Sequence, residues 1–433
     1  MAIERGDAVA LTRELIRLDS RNPSLVPGAP GEGAVARVLA SVLEAWGARV
    51  DVREAAPGRP NVIARFGSAL PGAPTLLFNG HMDVVGIDGM VHPPFDGVEE
   101  GGRIYARGAT DMKGGVAAMC AAAVRAADAG VAGEIIVAAV IDEEYESLGT
   151  RALLAQGVRA DAAVVTEPTR LAIAPAHRGF AWIDVTVHGR AAHGSRYDIG
   201  VDAIRLAGLI LTELDGLDAE VLTRRTHPLL GRASVHASLI EGGTGMSTYP
   251  DRCVLRLERR TLPGERAEDA LAEVRDCCAR VMERRPALRA EAVLSFHQGP
   301  SDVATNHPIV RAVADAAHAC GERVTIEGLS AWTDAALLND AGIPAICYGP
   351  GDIALAHAAE EWVEVNEIRR AAHVLTALAQ EWCSARGAGD ARAAGGGPGV
   401  AAGESPGTDA ARVAAAARAP APSPDEAPHA PGA

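Results

Sequence analysis

Five short segments hold the residues that could do chemistry, and four of them fall where an apolar run gives way to a polar loop. In LLFNGHMDVV, His81 and Asp83 are two residues apart, so an extended chain puts both on one face. In YARGATDMKGG, Asp111 stands at the entrance of a long Ala-rich helical run, where an aspartate most often only caps the helix. Gly108, Gly114 and Gly115 allow close backbone approach there, but the order of a phosphate-binding P-loop is absent. In VAAVIDEEYESLGT, Asp142, Glu143 and Glu144 follow a wholly apolar run, and adjacent carboxylates repel unless solvent, protons or a cation intervene. Glu167 ends another apolar run in DAAVVTEPT. Gly349, Pro350 and Gly351 follow a third, in YGPGDIALAHAAEEWV, with His357 six residues on.

Taken singly, these read as a turn pair, a cap, a solvated loop or a structural histidine. Together they put two histidines and several carboxylates on loops at one edge of one sheet. The carboxyl ends of strands in open α/β sheets are where ligands bind. Imidazole and carboxylate without thiolate suit Zn²⁺, Mn²⁺ or Co²⁺. Two such ions sharing a bridging carboxylate would account for the excess of acids and would make a hydrolytic centre.

The elements that must position these residues follow from the hydrophobic pattern. Helical periodicity covers 7–18, 33–46, 112–129 and 148–156, and β-rich runs cover 49–53, 61–66, 75–79, 134–141 and 162–165. Apolar strands alternating with helices predict an α/β layer with a mostly parallel sheet. From Phe180 the order changes to β-α-β-β-α-β, the split βαβ unit, at 180–297. After Gln298 the first pattern resumes with helices at 308–320, 334–339 and 366–384 and strands at 323–326 and 345–347. The expected organisation is a catalytic domain in two pieces, 1–179 and 298–385, an inserted lid at 180–297, and a low-complexity tail at 386–433 that cannot bury enough apolar surface to order itself.

Composition excludes several partners. The chain of 433 residues carries a formal charge of −15, which disfavours nucleic acid and anionic membranes. No apolar run approaches the roughly 20 residues of a membrane span. Met1 to Arg21 has charges throughout and lacks the apolar stretch of a secretory signal. The seven scattered cysteines, with no CxxC, read as reduced thiols of a cytoplasmic protein. Lys113 is the single lysine among 41 basic residues, a weak pointer to its surroundings.

GHMDVV, ARGATDMKGG, IDEEYESLGT and TEPT, in this order, resemble the M20 family of metallo-aminoacylases and peptidases over about residues 5–385. The resemblance implies a dinuclear-metal catalytic domain with an inserted ferredoxin-like lid and dimerisation domain. It implies that His81 and Glu167 are private ligands of one ion and Glu144 and His357 of the other, with Asp111 bridging and the Asp111–Met112 bond cis. Asp83 would orient His81, and Glu143 would be the general base. His193, in GRAAHGS, would reach into a partner subunit's site to stabilise the oxyanion. Arg260, with Arg259 as the fallback, would bind a substrate carboxylate. Gly349 and Gly351 would line the substrate slot and offer backbone N–H groups. Ser247 and Glu360 depart from residues frequent in the family and bear on substrate identity.

The activity implied is hydrolysis of an N-acyl amino acid by a homodimer of the acetylornithine deacetylase and succinyl-diaminopimelate desuccinylase type, with two divalent ions, zinc first and cobalt or manganese behind it. The alternative is a dipeptidase or carboxypeptidase with the same ions. A non-enzymatic binding protein would have lost the base or a ligand, and all those positions are filled.

Overall fold

The computed structural model describes residues 3–384, so the expectation for 386–433 lies outside the described residues. Helix α1 (Ala8–Ile16) starts at Asp7, whose carboxylate accepts from the amides of Val9 and Ala10. It is followed by α2 (Gly33–Ala45), the hairpin β1 (Arg49–Ala56) and β2 (Arg59–Gly67), β3 (Thr75–His81), α3 (Gly114–Asp128), β4 (Glu134–Val140), α4 (Leu148–Ala155), β5 (Ala162–Val165) and β6 (Ile173–His177). Next come β7 (Gly179–His188), α5 (Ala203–Gly216), β8 (Ser234–Gly242), β9 (Arg252–Thr261), α6 (Ala267–Arg284) and β10 (Arg289–Gln298). The chain closes with α7 (Pro308–Ala319), α8 (Ala335–Asp340), β11 (Ala345–Cys347) and α9 (Val365–Trp382).

The large sheet runs β1-β2-β4-β3-β5-β11-β6. Its centre, β4-β3-β5-β11, is parallel, while β1, β2 and β6 add antiparallel edges. Strand β4 (EIIVAAV) shows why: a strand covered on both faces reads as a continuous apolar run rather than an alternation. Ile135, Val137 and Ala139 pack with residues of α1, α2, α3, α7 and α9, and Ile136, Ala138 and Val140 pack with α4 and α8. Helix α3 is buried on nearly every side, so its alanines are what close packing demands. Gly115 marks the tightest approach, since a Cβ there would lie 2.0 Å from the Thr166 carbonyl oxygen, one residue before Glu167.

Residues 179–298 form a second sheet, β8-β9-β7-β10, antiparallel throughout. Ile183, Val185, Leu255 and Leu257 pack with Leu206 and Ile210 of α5 and Val274 and Val281 of α6. The order of its elements matches the split βαβ order read from the sequence.

Two parts of the fold differ from expectation. The strand expected at 323–326 lies at Ile326–Leu329, because pairing with β6 sets its register, with Ile326 opposite Ile173 and Leu329 opposite His177. Strand β6 itself went unread: Pro175 inside it argues against a ladder strand, yet it pairs on both sides. Among the described residues no helix is long and apolar enough to cross a membrane.

Two outcomes follow from this packing. Gly115→Ala should cost about 2–3 kcal/mol of stability in urea denaturation, the scale of an overpacked core site; a neutral result would mean that α3 and the end of β5 separate freely. His177 is buried with Nε2 unpartnered, and burial lowers its pKa to about 4. The unfolded ring titrates near 6.5, so this stabilising preference for the neutral form is complete above that pH and is lost as pH falls toward 4, by up to about 3 kcal/mol. Wild type should therefore lose more stability than His177→Asn between pH 7 and 4; equal losses would refute a neutral buried ring.

Candidate metal centre

His81 closes β3 with its ring fully buried. Its Nδ1 lies 2.9 Å from the main-chain carbonyl of Asp83, so Nδ1 carries the hydrogen and donates. That leaves the Nε2 lone pair facing Asp111 Oδ1 at 3.0 Å. Two acceptors cannot face each other at that distance without a proton or a cation between them. Burial alone would lower the His81 pKa, but the hydrogen bond to Asp111 and the charges of Asp111, Glu143 and Asp83 raise it well above the usual imidazole range.

Asp111 does not cap α3. The helix starts from Lys113 with no side-chain cap bond, and the Asp111 carboxylate turns to His81 instead. The Asp111–Met112 bond is cis. The amides of Thr110 and Asp111 donate to Glu361 Oε1 at 3.0 and 3.1 Å, and Arg107 donates to Glu361 Oε2 at 2.6 Å. Burial opposes charge on Asp111, yet the hydrogen bond and charge of His81, with His357 and Arg107, hold its pKa below the usual carboxylate range.

The loop after β4 divides its three acids. Asp142, at φ +67°, turns inward and accepts from Arg59 Nη1 at 2.9 Å and Asn22 Nδ2 at 3.0 Å. Arg59 also clamps Glu32 through two bonds of 2.8 and 2.6 Å. Glu143 and Glu144 remain for the centre, and their amides donate to the two Asp83 oxygens at 3.2 and 3.3 Å. Asn22 adds a bond to Asp83 Oδ2 at 2.8 Å. Asp83 thus holds His81 with its main-chain carbonyl and the Glu143–Glu144 turn with its carboxylate. Burial pushes its pKa up to about 7.

Two sets of ligand atoms, His81–Asp111–Glu144 and His81–Glu143–Glu167, each lie within 4.8 Å of one another. Glu167 is buried at the end of β5, and its Oε1 has no hydrogen-bond partner. Burial first, then the charge of Asp111, raises the Glu167 pKa well above the usual value, and burial with the charge of Glu167 does the same for Glu143. His357, at φ +62°, presents Nε2 to Glu144 Oε2 at 2.9 Å and to Asp111 Oδ2 at 3.7 Å, with its side chain 54% exposed. The bond to Glu144 raises the His357 pKa to about 9. An unpartnered buried carboxylate oxygen and opposed acceptors among oxygen and nitrogen donors fit divalent cations.

The structure does not bring every expected residue here. His193 is exposed on the second unit and bonds Ser195 Oγ at 2.8 Å. Arg260 lies on β9 with Nε bound to Glu258 at 2.6 Å. Arg259, the fallback, is corrected: it is buried in ion pairs with Glu265 and Glu273 of the same unit and has no free face. The N–H groups of Gly349 and Gly351 donate to Thr169 Oγ1 at 3.1 Å and Glu367 Oε2 at 2.7 Å. Gly351, at φ +92°, passes so close to Thr110 that a Cβ would sit 2.1 Å from its Oγ1, so this loop packs against the Asp111 turn. Glu360 is exposed near His92, whereas its neighbour Glu361 is the buried acceptor.

Sequence reading missed Asn22, Glu32, Arg59, Glu361 and Asp334. Asp334 is buried at the start of α8, accepts from Thr150 Oγ1 at 2.6 Å and leaves Oδ1 unpartnered. Lys113, singled out by rarity, is a buried amine bound to the Leu18 carbonyl at 2.8 Å, and burial lowers its pKa to about 7.

Comparison with known proteins gives a consistent picture. The sequence model of peptidase family M20/M25/M40 matches residues 77–381. The acetylornithine deacetylase of Myxococcus xanthus is 30% identical, over 75% of this chain and 85% of its own length. The N-formyl-4-amino-5-aminomethyl-2-methylpyrimidine deformylase of Bacillus subtilis (strain 168) is 27% identical, over 88% and 95%. The crystal structure of the Bacillus subtilis YXEP protein, described as a dinuclear metal binding peptidase, superposes with a TM-score of 0.65 at 18% identity, covering 86% of this chain and 97% of that one.

Replacing Arg59 by Met leaves Glu32 and Asp142 buried without their cation. The expected loss is about 3–5 kcal/mol, the scale of a broken buried pair, read as a shift of the urea midpoint. A loss under about 1 kcal/mol would mean that the network does not hold the loop.

Proposed function

This chain belongs to peptidase family M20/M25/M40, and from that premise we propose that it is a two-metal amidohydrolase that removes the acyl group from an N-acyl amino acid. The observation that carries the proposal is the convergence of Asp111, Glu143, Glu144 and Glu167 on His81, with the unpartnered Glu167 oxygen among them. Deacylases at 27–30% identity support acyl removal over peptide cleavage.

In this reading His81, Asp111 and Glu167 would hold one ion and Asp111, Glu144 and His357 the other. We assign zinc first, with cobalt or manganese as substitutes. Divalent ions held by these residues would supply Lewis acidity for the amide carbonyl and a water of near-neutral pKa. Glu143, held by its amide to Asp83, takes the proton of the attacking water and returns it to the departing nitrogen. Its raised pKa suits an acid–base group that must change state near neutral pH. Arg260 receives the α-carboxylate of the amino acid.

Residues 180–297 serve as the lid and dimerisation domain, and His193 of the partner subunit stabilises the oxyanion. Its exposed position, and exposed Leu239 and Ile240 on the edge strand β8, support a homodimer. All seven cysteines are free, which supports a cytoplasmic location.

Glu143→Gln should lower kcat toward N-acyl amino acids by about 10²–10⁴-fold while leaving metal content by atomic emission unchanged. Removal of metal by a chelator should abolish turnover, and zinc should restore it. Full turnover in either experiment would remove the base or the ions from the mechanism.

A further inference from the structure

The molecule is poor in aromatic residues, with five each of Trp, Tyr and Phe among 433. Three of these meet on one face of the second sheet. Phe180 and Trp182 stand two apart on β7, and Phe296 lies opposite Trp182 on β10. Their ring centroids are 5.3, 5.4 and 5.9 Å apart, at tilts of 38–49°. Alternation along β7 turns Ala181 and Ile183 to the helices and turns the aromatic rings away from them. Among the described residues no helix covers the aromatic face, and Trp182 is 36% exposed.

Charge on this face is arranged around the rings. Arg260 lies opposite Phe180, with its guanidinium carbon 5.4 Å from the ring centroid. Glu258, opposite Trp182, accepts from Trp182 Nε1 at 3.0 Å and from Arg260 Nε at 2.6 Å, and so fixes both. The terminal nitrogens of Arg260 have no protein partner among the described residues, whereas Glu258 is already engaged by two donors. The face therefore offers free donors to an anion beside an open aromatic surface, with Asp184 two residues beyond Trp182 on the same face and opposite Arg256.

The patch sits at the end of the second sheet nearest the metal centre. Phe180 follows β6 after two residues, and Gln298, opposite Phe180, accepts from Arg151 of α4 at 2.7 Å. Helix α4 begins four residues after Glu144.

We propose that Phe180, Trp182 and Phe296 form a subsite for an aromatic side chain of the N-acyl amino acid, beside the Arg260 that takes its carboxylate. This deepens the function proposed above and rests on it. An aromatic ring gains offset or edge-on contact with three rings already in place, while the α-carboxylate meets the guanidinium fork. Immediately beside the rings, a side chain ending in an ammonium meets the Arg260 guanidinium and a Glu258 carboxylate already engaged by two donors.

The test uses the full-length, zinc-loaded protein and two substrates of equal acyl group, N-acetylphenylalanine and N-acetylornithine, with N-acetylalanine as reference. Wild type should favour the phenylalanine substrate in kcat/KM. Trp182→Ala should cut the phenylalanine-to-alanine ratio of kcat/KM by roughly tenfold, mainly through KM, and Trp182→Phe should recover most of it. A ratio taken within one protein cancels any loss of folded fraction. A preference for N-acetylornithine, or a ratio unmoved by Trp182→Ala, would overturn the subsite and leave the deacylase reading standing. Hydrolysis of none of the three would defeat that parent reading and the subsite with it.

Discussion

Buried negative charge is the constraint to which the rest of the molecule answers. Asp111, Glu143, Glu144 and Glu167 converge on His81 at the carboxyl edge of the parallel strands, in a region that water scarcely reaches. Carboxylates so placed repel one another and lose their hydration, so the fold must hold them against an outward pressure. It does so with main-chain donors and with acids that are themselves neutralised. Asp83 gathers the two glutamate amides, Glu361 gathers those of the Asp111 turn, and Arg59 and Arg107 stand behind them as fixed cations. The centre is thus a set of candidate ligands whose direction is imposed from beneath.

This layering explains what could be read from residues alone. The ligands stand at the ends of apolar runs, and an apolar run of the right length announces a buried strand whatever its neighbours do. His81, Glu143 and Glu167 were legible for that reason, and so were nearly all the helices and strands that carry them. The alternation of Phe180–His188 announced a sheet with one covered face, and the structure has it. Asp111 was legible only through its company, since an aspartate before a helix is usually a cap and this one is not.

The supporting residues were illegible because their partners are remote in sequence. Arg59 bonds Glu32 and Asp142, which are 27 and 83 positions away, and Asn22 bonds Asp83 across 61. Nothing local distinguishes Arg59 from the other arginines, or Glu361 from its exposed neighbour Glu360. The glycines of the 349–351 loop have remote neighbours too. Their type signalled close backbone approach, and the approach seen is to Thr110 and to the strand end bearing Glu167. Strand β6 was hidden by Pro175, which an isolated reading treats as a breaker.

The crossing between the two sheets is only a ribbon of two strands. His177 pairs with Ser301 just before the chain leaves, and Phe180 pairs with Gln298 just before it returns. The gap that the excursion leaves in the first sheet is therefore no wider than a hairpin turn, and bridging it carries a small entropic cost whatever the size of what hangs from it. Such a junction leaves the framework that carries the candidate ligands specified by its own residues, whatever is appended at that point.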